Sequence, residues 1–218
     1  MALARSSARF ALGTLISRVS GLARDTVIAS VFGASAILDA FFVAFRIPNL
    51  FREMLAEGAL TNSFTKVYSE LRSVSEEKAE DFFIKSFQLV CVLGIAITLA
   101  GFLFAPYFVK LMTFYSEPTP EFMHNAVGLT RILFPFLPIM MVGSIVSGAL
   151  YERSRFFLSA VAPVGFNVFF IIGAVCFGPA LKRWGPYWVE TFFGDPVAVG
   201  MAMGVVLGGM AQVWMNAF

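Results

Sequence analysis

The chain has 218 residues, of which 58% are hydrophobic and only 14% charged, against about 25% charged in an ordinary soluble domain. With a mean hydropathy of +0.79, it carries more apolar surface than a water-soluble core can hide, so lipid must solvate much of it. A formal net charge of +2 is too small for a nucleic-acid-binding surface.

Six apolar segments are long enough to cross a bilayer, which takes about 20 residues as a helix. The first, 7–32, ends before Gly33, and "GASA" leaves room only for a hairpin to the second, 37–68, which carries Pro48 as an internal kink. The polar "SELRSVSEEKAED" (69–81) then leads into the third, 82–115. A Pro-rich acidic turn, "SEPTPE", precedes the fourth, 122–150, which contains Pro135 and Pro138. The basic "YERSR" connects to the fifth, 156–177. An aromatic, Pro/Gly-rich interfacial loop (178–195) precedes the sixth, 196–218. The expectation is an all-α polytopic membrane protein built as a six-helix transmembrane bundle.

Positive charge sets the orientation. Arg5, Arg9, Lys66, Arg72, Lys78, Lys85, Arg153 and Arg155 gather at one side, against Lys182, Arg183 and Lys110 at the other. Both termini are therefore expected in the cytoplasm, with Trp184, Tyr187 and Trp188 in an outer aromatic belt. The basic N-terminus resembles a signal peptide, but Arg18, Arg24 and Asp25 interrupt its apolar run, so it is read as retained. Cys91 and Cys176 both lie in apolar runs and read as small packing residues, not as a disulfide or metal site.

The informative residues are charges at membrane depth, where each costs roughly 2.5–3.5 kcal/mol on insertion scales. Arg18 and Asp25 are seven apart and share a helix face, whereas the Arg24 position points about 100° away from Asp25. Asp39 and Arg46 repeat the seven-residue spacing on the second segment. Beyond Pro48, Asn49, Arg52, Glu53 and Glu57 form a polar stripe on one face. Such a stripe must face the bundle interior or a water-filled cavity. The plain reading is that these charges neutralise each other and hold helices in register. The functional reading rests on arginine, which stays charged in any surroundings and forks onto carboxylate or phosphate. Several arginines on one cavity suit a diphosphate.

Gly13, Ser17 and Gly21, and again Gly200, Gly204 and Gly208, recur every fourth residue. This spacing lets helix backbones approach, and ordinary packing is its plainest meaning. His124, the only histidine, sits by the acidic turn as a surface residue. The sequence holds no metal-ligand cluster, nucleophile triad or nucleotide-binding motif. No catalytic residue, metal or cofactor is expected, nor is an enzyme. A membrane-embedded transferase would need an acidic pair such as Glu76, Glu77, Glu80 or Asp81, whose spacing around Lys78 reads as a solvated loop.

The run "SRVSGLARD…VFGAS…LDAFFVAFRIPNLFREMLAEGAL" (17–60) closely resembles the start of the MurJ (MviN) family. These are lipid II flippases of the multidrug/oligosaccharidyl-lipid/polysaccharide exporter superfamily. Weaker similarity continues through "RILFPFLPIM" (131–140) and "RFFLSAVAPVGFNV" (155–168) to the sixth segment. The resemblance implies translocation of lipid II across the bacterial cytoplasmic (inner) membrane by alternating access, with the diphosphate head in a cationic cavity. It assigns Arg18, Arg24, Asp39 and Arg52 to that cavity, with Asp25, Asn49 and Glu57 as further polar groups. It adds Asn167, which the pattern of charges does not single out. Its partners would be lipid II and membrane lipids. Family members have two six-helix lobes plus two helices, so this chain reads as the N-terminal lobe alone, residues 1–218, with the second lobe as its missing partner. An exporter of another polyprenyl-diphosphate-linked glycan, or an inactive or partner half-transporter, fits the same residues.

Overall fold

The computed structural model describes residues 2–54, 60–151 and 156–217, with side chains for 11–54, 60–149 and 161–216. Among the described residues the regular structure is entirely helical. Four helical stretches are long and apolar enough to cross a membrane: Glu76–Met112, Pro120–Ala149, Val161–Trp184 and Pro196–Asn216.

Helix α1 (Ala2–Phe32) stops at Gly33, whose φ of 60° places it in the left-handed region that glycine enters without strain. Ser35 then caps α2 (Ala36–Phe51), its hydroxyl accepting from the Leu38 amide at 3.3 Å. Neither helix is among the four apolar spans. Within the 37–68 segment expected as one kinked helix, the described residues on both sides of 55–59 are helical. Pro48 lies inside α2, and the backbone widens into π-type turns at 52–54 one turn later. Helix α3 (Thr61–Val74) begins beyond 55–59, which fall outside the described residues.

The polar stretch 69–81, expected as a connection, is helical except at Ser75. That residue ends α3 and caps α4 (Glu76–Met112), its hydroxyl accepting from the Lys78 amide. Hydropathy reads this stretch as unfit for lipid, but its Glu, Lys, Leu, Arg and Ala are good helix formers in water. Lys85 Nζ bonds Asp81 one turn away at 2.6 Å. At 37 residues, α4 is about 55 Å long and outreaches a hydrocarbon layer of about 30 Å. Its first turns pair with α3 instead, through an aromatic cluster in which Phe82 stacks on Phe64 and Phe83 meets Phe64 and Tyr68 edge-on.

The fourth expected segment is two helices, α5 (Pro120–Leu133) and α6 (Phe136–Tyr151), with a turn at Phe134 and Pro135. The fifth runs further than expected. Helix α7 (Phe156–Ile172) passes through π-helical turns (Gly173–Phe177) into α8 (Gly178–Trp184). Pro179 does not stop it; it falls where the π turns give way to α8. After the short α9 (Trp188–Phe193), Gly194 turns with φ 90°. Asp195 Oδ1 then caps α10 (Pro196–Ala217), accepting from the Val197 and Ala198 amides.

The core sits around α10, which packs on α5, α6, α7 and α8. Gly200, Gly204 and Gly208 lie directly against the backbone of 166–178: a Cβ on Gly204 would stand 2.5 Å from the Phe169 carbonyl oxygen and 2.7 Å from Gly173 Cα. The four-residue glycine spacing is thus a backbone-to-backbone seam. The outward faces are apolar. Leu89, Val92, Ile95, Leu99, Leu103 and Leu111 are exposed along α4, as a lipid-facing helix requires.

Candidate functional site

Helix α1 leans on α7 and on the π turns that follow it. The seam uses the small-residue row of α1: Gly13 is buried, and a Cβ on Gly21 would sit 3.7 Å from Asn167 Nδ2, an ordinary contact. Arg24 lies on this same packed face. Its guanidinium reaches out of the seam, with Nε and Nη2 donating to Asp25 Oδ1 at 2.9 and 2.8 Å and Nη1 donating to Asn167 Oδ1 at 3.0 Å. Asn167, only 5% exposed, donates through Nδ2 to Ser20 Oγ at 2.8 Å, and Ser20 donates to the Ser17 carbonyl. Phe170, one turn beyond Asn167, lies under the guanidinium with its ring centre 5.3 Å from Cζ. Arg24 is therefore held from behind by α7, and Asp25 stands on the open side with 63% of its side chain exposed.

The expectation that Asp25 and Arg18 share a face holds for the backbone, but the ion pair goes to Arg24. A long side chain closes the angle that helical geometry opens between neighbours. Among the described residues, no side chain bonds Arg18, Asp39 or Arg46, and all three are exposed.

Helix α2 approaches the same wall through aromatic rings. Phe41 and Phe45 pack against Phe170 at 5.7 and 6.3 Å between ring centres. Phe170 thus touches both the Arg24 guanidinium and α2. Arg24 stands eight residues before the end of α1 and Arg46 ten after the start of α2. Both are about 12–15 Å from the connecting turn along their helices. Arg18 and Arg52 stand deeper, about 21–24 Å from it. Measured along their own helices, Arg24 and Arg46 thus form one tier and Arg18 and Arg52 another.

At the deeper tier, Arg52 Nε donates to Asn49 Oδ1 at 3.0 Å, and Asn49 Nδ2 donates to Glu53 Oε1 at 2.8 Å. Arg52 Nη2 lies 3.8 Å from the same carboxylate oxygen. Asn49, Arg52 and Glu53 of the polar stripe beyond Pro48 thus bond one another where the helix widens. Glu57 lies outside the described residues. Ser20 and Phe170 were not singled out from sequence. Their signal was present, since each sits one turn from a chosen residue, Ser20 from Arg24 and Phe170 from Asn167. Among the described residues no group of His, Cys, Asp and Glu could hold a metal ion. The arrangement offers an anion arginine donors whose protein partners include the exposed carboxylates of Asp25 and Glu53, with Asn167 and Phe170 behind Arg24.

A family model described as lipid II flippase MurJ matches residues 28–218. The lipid II flippase MurJ of Burkholderia cenocepacia is 36% identical over 200 residues, covering 91% of this chain and 36% of that protein. The probable lipid II flippase MurJ of Aquifex aeolicus is 31% identical over 216 residues, covering 99% of this chain and 40% of that protein. Its counterpart in Treponema pallidum is 34% identical over 217 residues, covering 96% and 38%. The chain therefore spans 36–40% of the length of these three relatives.

Proposed function

The chain belongs to the lipid II flippase MurJ family, and from that premise we propose that it forms the N-terminal lobe of a transporter carrying lipid II across the cytoplasmic membrane. In this reading α1, α2 with α3, α4, α5 with α6, α7 with α8, and α10 make six crossings, with the N-terminus in the cytoplasm. The groove between α1 and α2, floored by α7, is half of a central cavity, and a second lobe supplies the opposite wall. Alternating access exposes that cavity to one side of the membrane and then the other. The chain acts as a carrier, not as a catalyst.

The observation that carries this reading is the asymmetry around Arg24. Its rear partners, Asn167 and Phe170, are packed into α7, whereas its front partner is an exposed carboxylate. A diphosphate offers the same oxygen geometry as Asp25 with more negative charge. It can displace Asp25 from the Nε and Nη2 edge while Asn167 keeps the guanidinium in place. Arg52, with Asn49 and Glu53, repeats the exchange one tier deeper, and Arg18, Asp39 and Glu57 complete the polar lining. The sugar–peptide head occupies the cavity and the polyprenyl tail stays in lipid.

Rescue of cells depleted of their own flippase tests this. The gene's full product is expected to restore growth, and an Arg24→Ala, Arg52→Ala double variant made to the same level is expected not to. Full rescue by the double variant would remove both residues from the assigned role.

A further inference from the structure

Arg131, in α5, belongs to none of the groups above. Its position follows from a proline. Pro106 lies inside α4 and has no N–H, so the carbonyl of Phe102, four residues earlier, has no helical donor. Arg131 Nε donates to that oxygen at 3.3 Å, and its guanidinium lies 5.0 Å from the centre of the Phe102 ring. This role uses one nitrogen. Among the described residues, Nη1 and Nη2 donate to no protein atom, and no carboxylate pairs with Arg131.

Arg131 lines an open cleft of about 400 Å³ between α5 and α9. Pro120, His124, Gly128 and Arg131 form one face of α5, spaced by helical turns, and Thr191 and Phe192 form the opposing wall. No Asp or Glu is among its lining residues. His124 Nε2 donates to the Glu190 carbonyl at 3.0 Å, which ties α5 to α9 and leaves Nδ1 unused by that contact. Gly128 allows the close approach, since a Cβ there would meet the Phe193 backbone.

The cleft runs along α5 from Arg131 to Pro120 at the N-terminal end of the helix. Arg131 stands eleven residues beyond Pro120, about 16 Å along the helix. Its side chain leans toward the helix N-terminus, which is the end carrying exposed Trp184, Tyr187 and Trp188. Tyr107, also exposed, lies five residues beyond Phe102, about 7.5 Å nearer that end. Such aromatic residues mark the interface, and an arginine deeper in the apolar layer extends its side chain toward it.

We propose that this cleft binds the phosphate of a membrane phospholipid, with Arg131 Nη1 and Nη2 forking onto its oxygens and Phe192 against the glycerol and upper acyl region. The site stands apart from the α1–α2 groove and does not depend on what that groove carries.

Native mass spectrometry of the purified chain, released from detergent with added lipids, tests it. Phosphatidylglycerol should be retained and diacylglycerol, which lacks the phosphate, should not. Inorganic phosphate should fail to displace the lipid; displacement by phosphate alone would overturn the lipid assignment. Arg131→Lys can still donate to the Phe102 carbonyl but loses the fork, so it should keep helix content while weakening phosphatidylglycerol binding roughly tenfold. Arg183→Lys, on α8, should change nothing. Unchanged binding in Arg131→Lys would overturn the proposal. Should that variant misfold, a phosphatidylglycerol with a photoreactive headgroup reads the same site in the unmodified chain. Crosslinks should fall on 120–131 and 188–193, and crosslinks only elsewhere would overturn it.

Discussion

The bridge from Ser20 to Arg24 through Asn167 predicts a measurable coupling between α1 and α7. Asn167→Ala removes a bond to an ionised group and a bond to a hydroxyl, at 3.0 and 2.8 Å. Side-chain hydrogen bonds between membrane helices average about 0.6 kcal/mol and reach about 1.7. The two together, with the lost packing, should cost about 1–3 kcal/mol. Ser20→Ala also loses the bond to the Ser17 carbonyl, which a double-mutant cycle subtracts. The Ser20–Asn167 coupling should then be about 0.5–1.5 kcal/mol, read from reversible unfolding in mixed micelles by circular dichroism. Gly21→Ala is the control, because its Cβ would meet Asn167 only at 3.7 Å. It should be neutral or stabilising by up to about 1 kcal/mol. Coupling below about 0.3 kcal/mol, the level at which independent sites add, would refute the bridge.

Gly204→Leu should cost more than about 3 kcal/mol in the same unfolding measurement, because the new side chain meets the Phe169 and Gly173 backbone, which cannot rotate away. Asp195→Ala should lower stability by about 0.5–2 kcal/mol by uncapping α10. Asp25→Asn removes the anion competing for Arg24. It should tighten binding of undecaprenyl diphosphate, measured by native mass spectrometry, and weaker binding would mean that Asp25 does not exchange with the ligand. Gly33→Ala should cost about 1 kcal/mol through its φ of 60°, although its Cβ would meet no neighbour within 4 Å.

Much of the fold was legible because hydropathy reports where lipid can touch. The apolar stretches of α4, α5 with α6, α7 and α10 fall where the composition places them. The same signal misreads 69–81, since unfit for lipid is not unfit for helix: Ser75 alone interrupts it. It also overlooks the extension to Trp184, where the helix runs on past Pro179 through π turns. At the candidate site, charge at membrane depth singled out Arg24, Asp25 and Arg52 from the residues alone, and the polar stripe beyond Pro48 added Asn49. Helical angles place Arg18 on the face of Asp25 and Arg24 about 100° away, yet the length of the Arg24 side chain lets it reach the Asp25 carboxylate. Asn167 bears no charge and entered only by resemblance. Its place between Arg24 and Ser20 depends on contacts across more than 140 residues of chain, which no local pattern encodes. Arg131 shows the same limit: the gap that Pro106 leaves in α4 is visible in sequence, but the residue that fills it is not.

The central claim is that the edge of α1 carrying Arg18 and Asp25 faces water within the membrane, while the edge carrying Ile16 and Val19 faces lipid. All four side chains are exposed, so exposure alone does not separate the edges. Single cysteines at these positions, with Cys91 and Cys176 replaced by alanine, can be labelled in cells with a water-soluble maleimide on the gene's full product. Arg18→Cys and Asp25→Cys should label, and Ile16→Cys and Val19→Cys should stay protected. Equal protection of all four, or labelling of the apolar pair alone, would contradict the account.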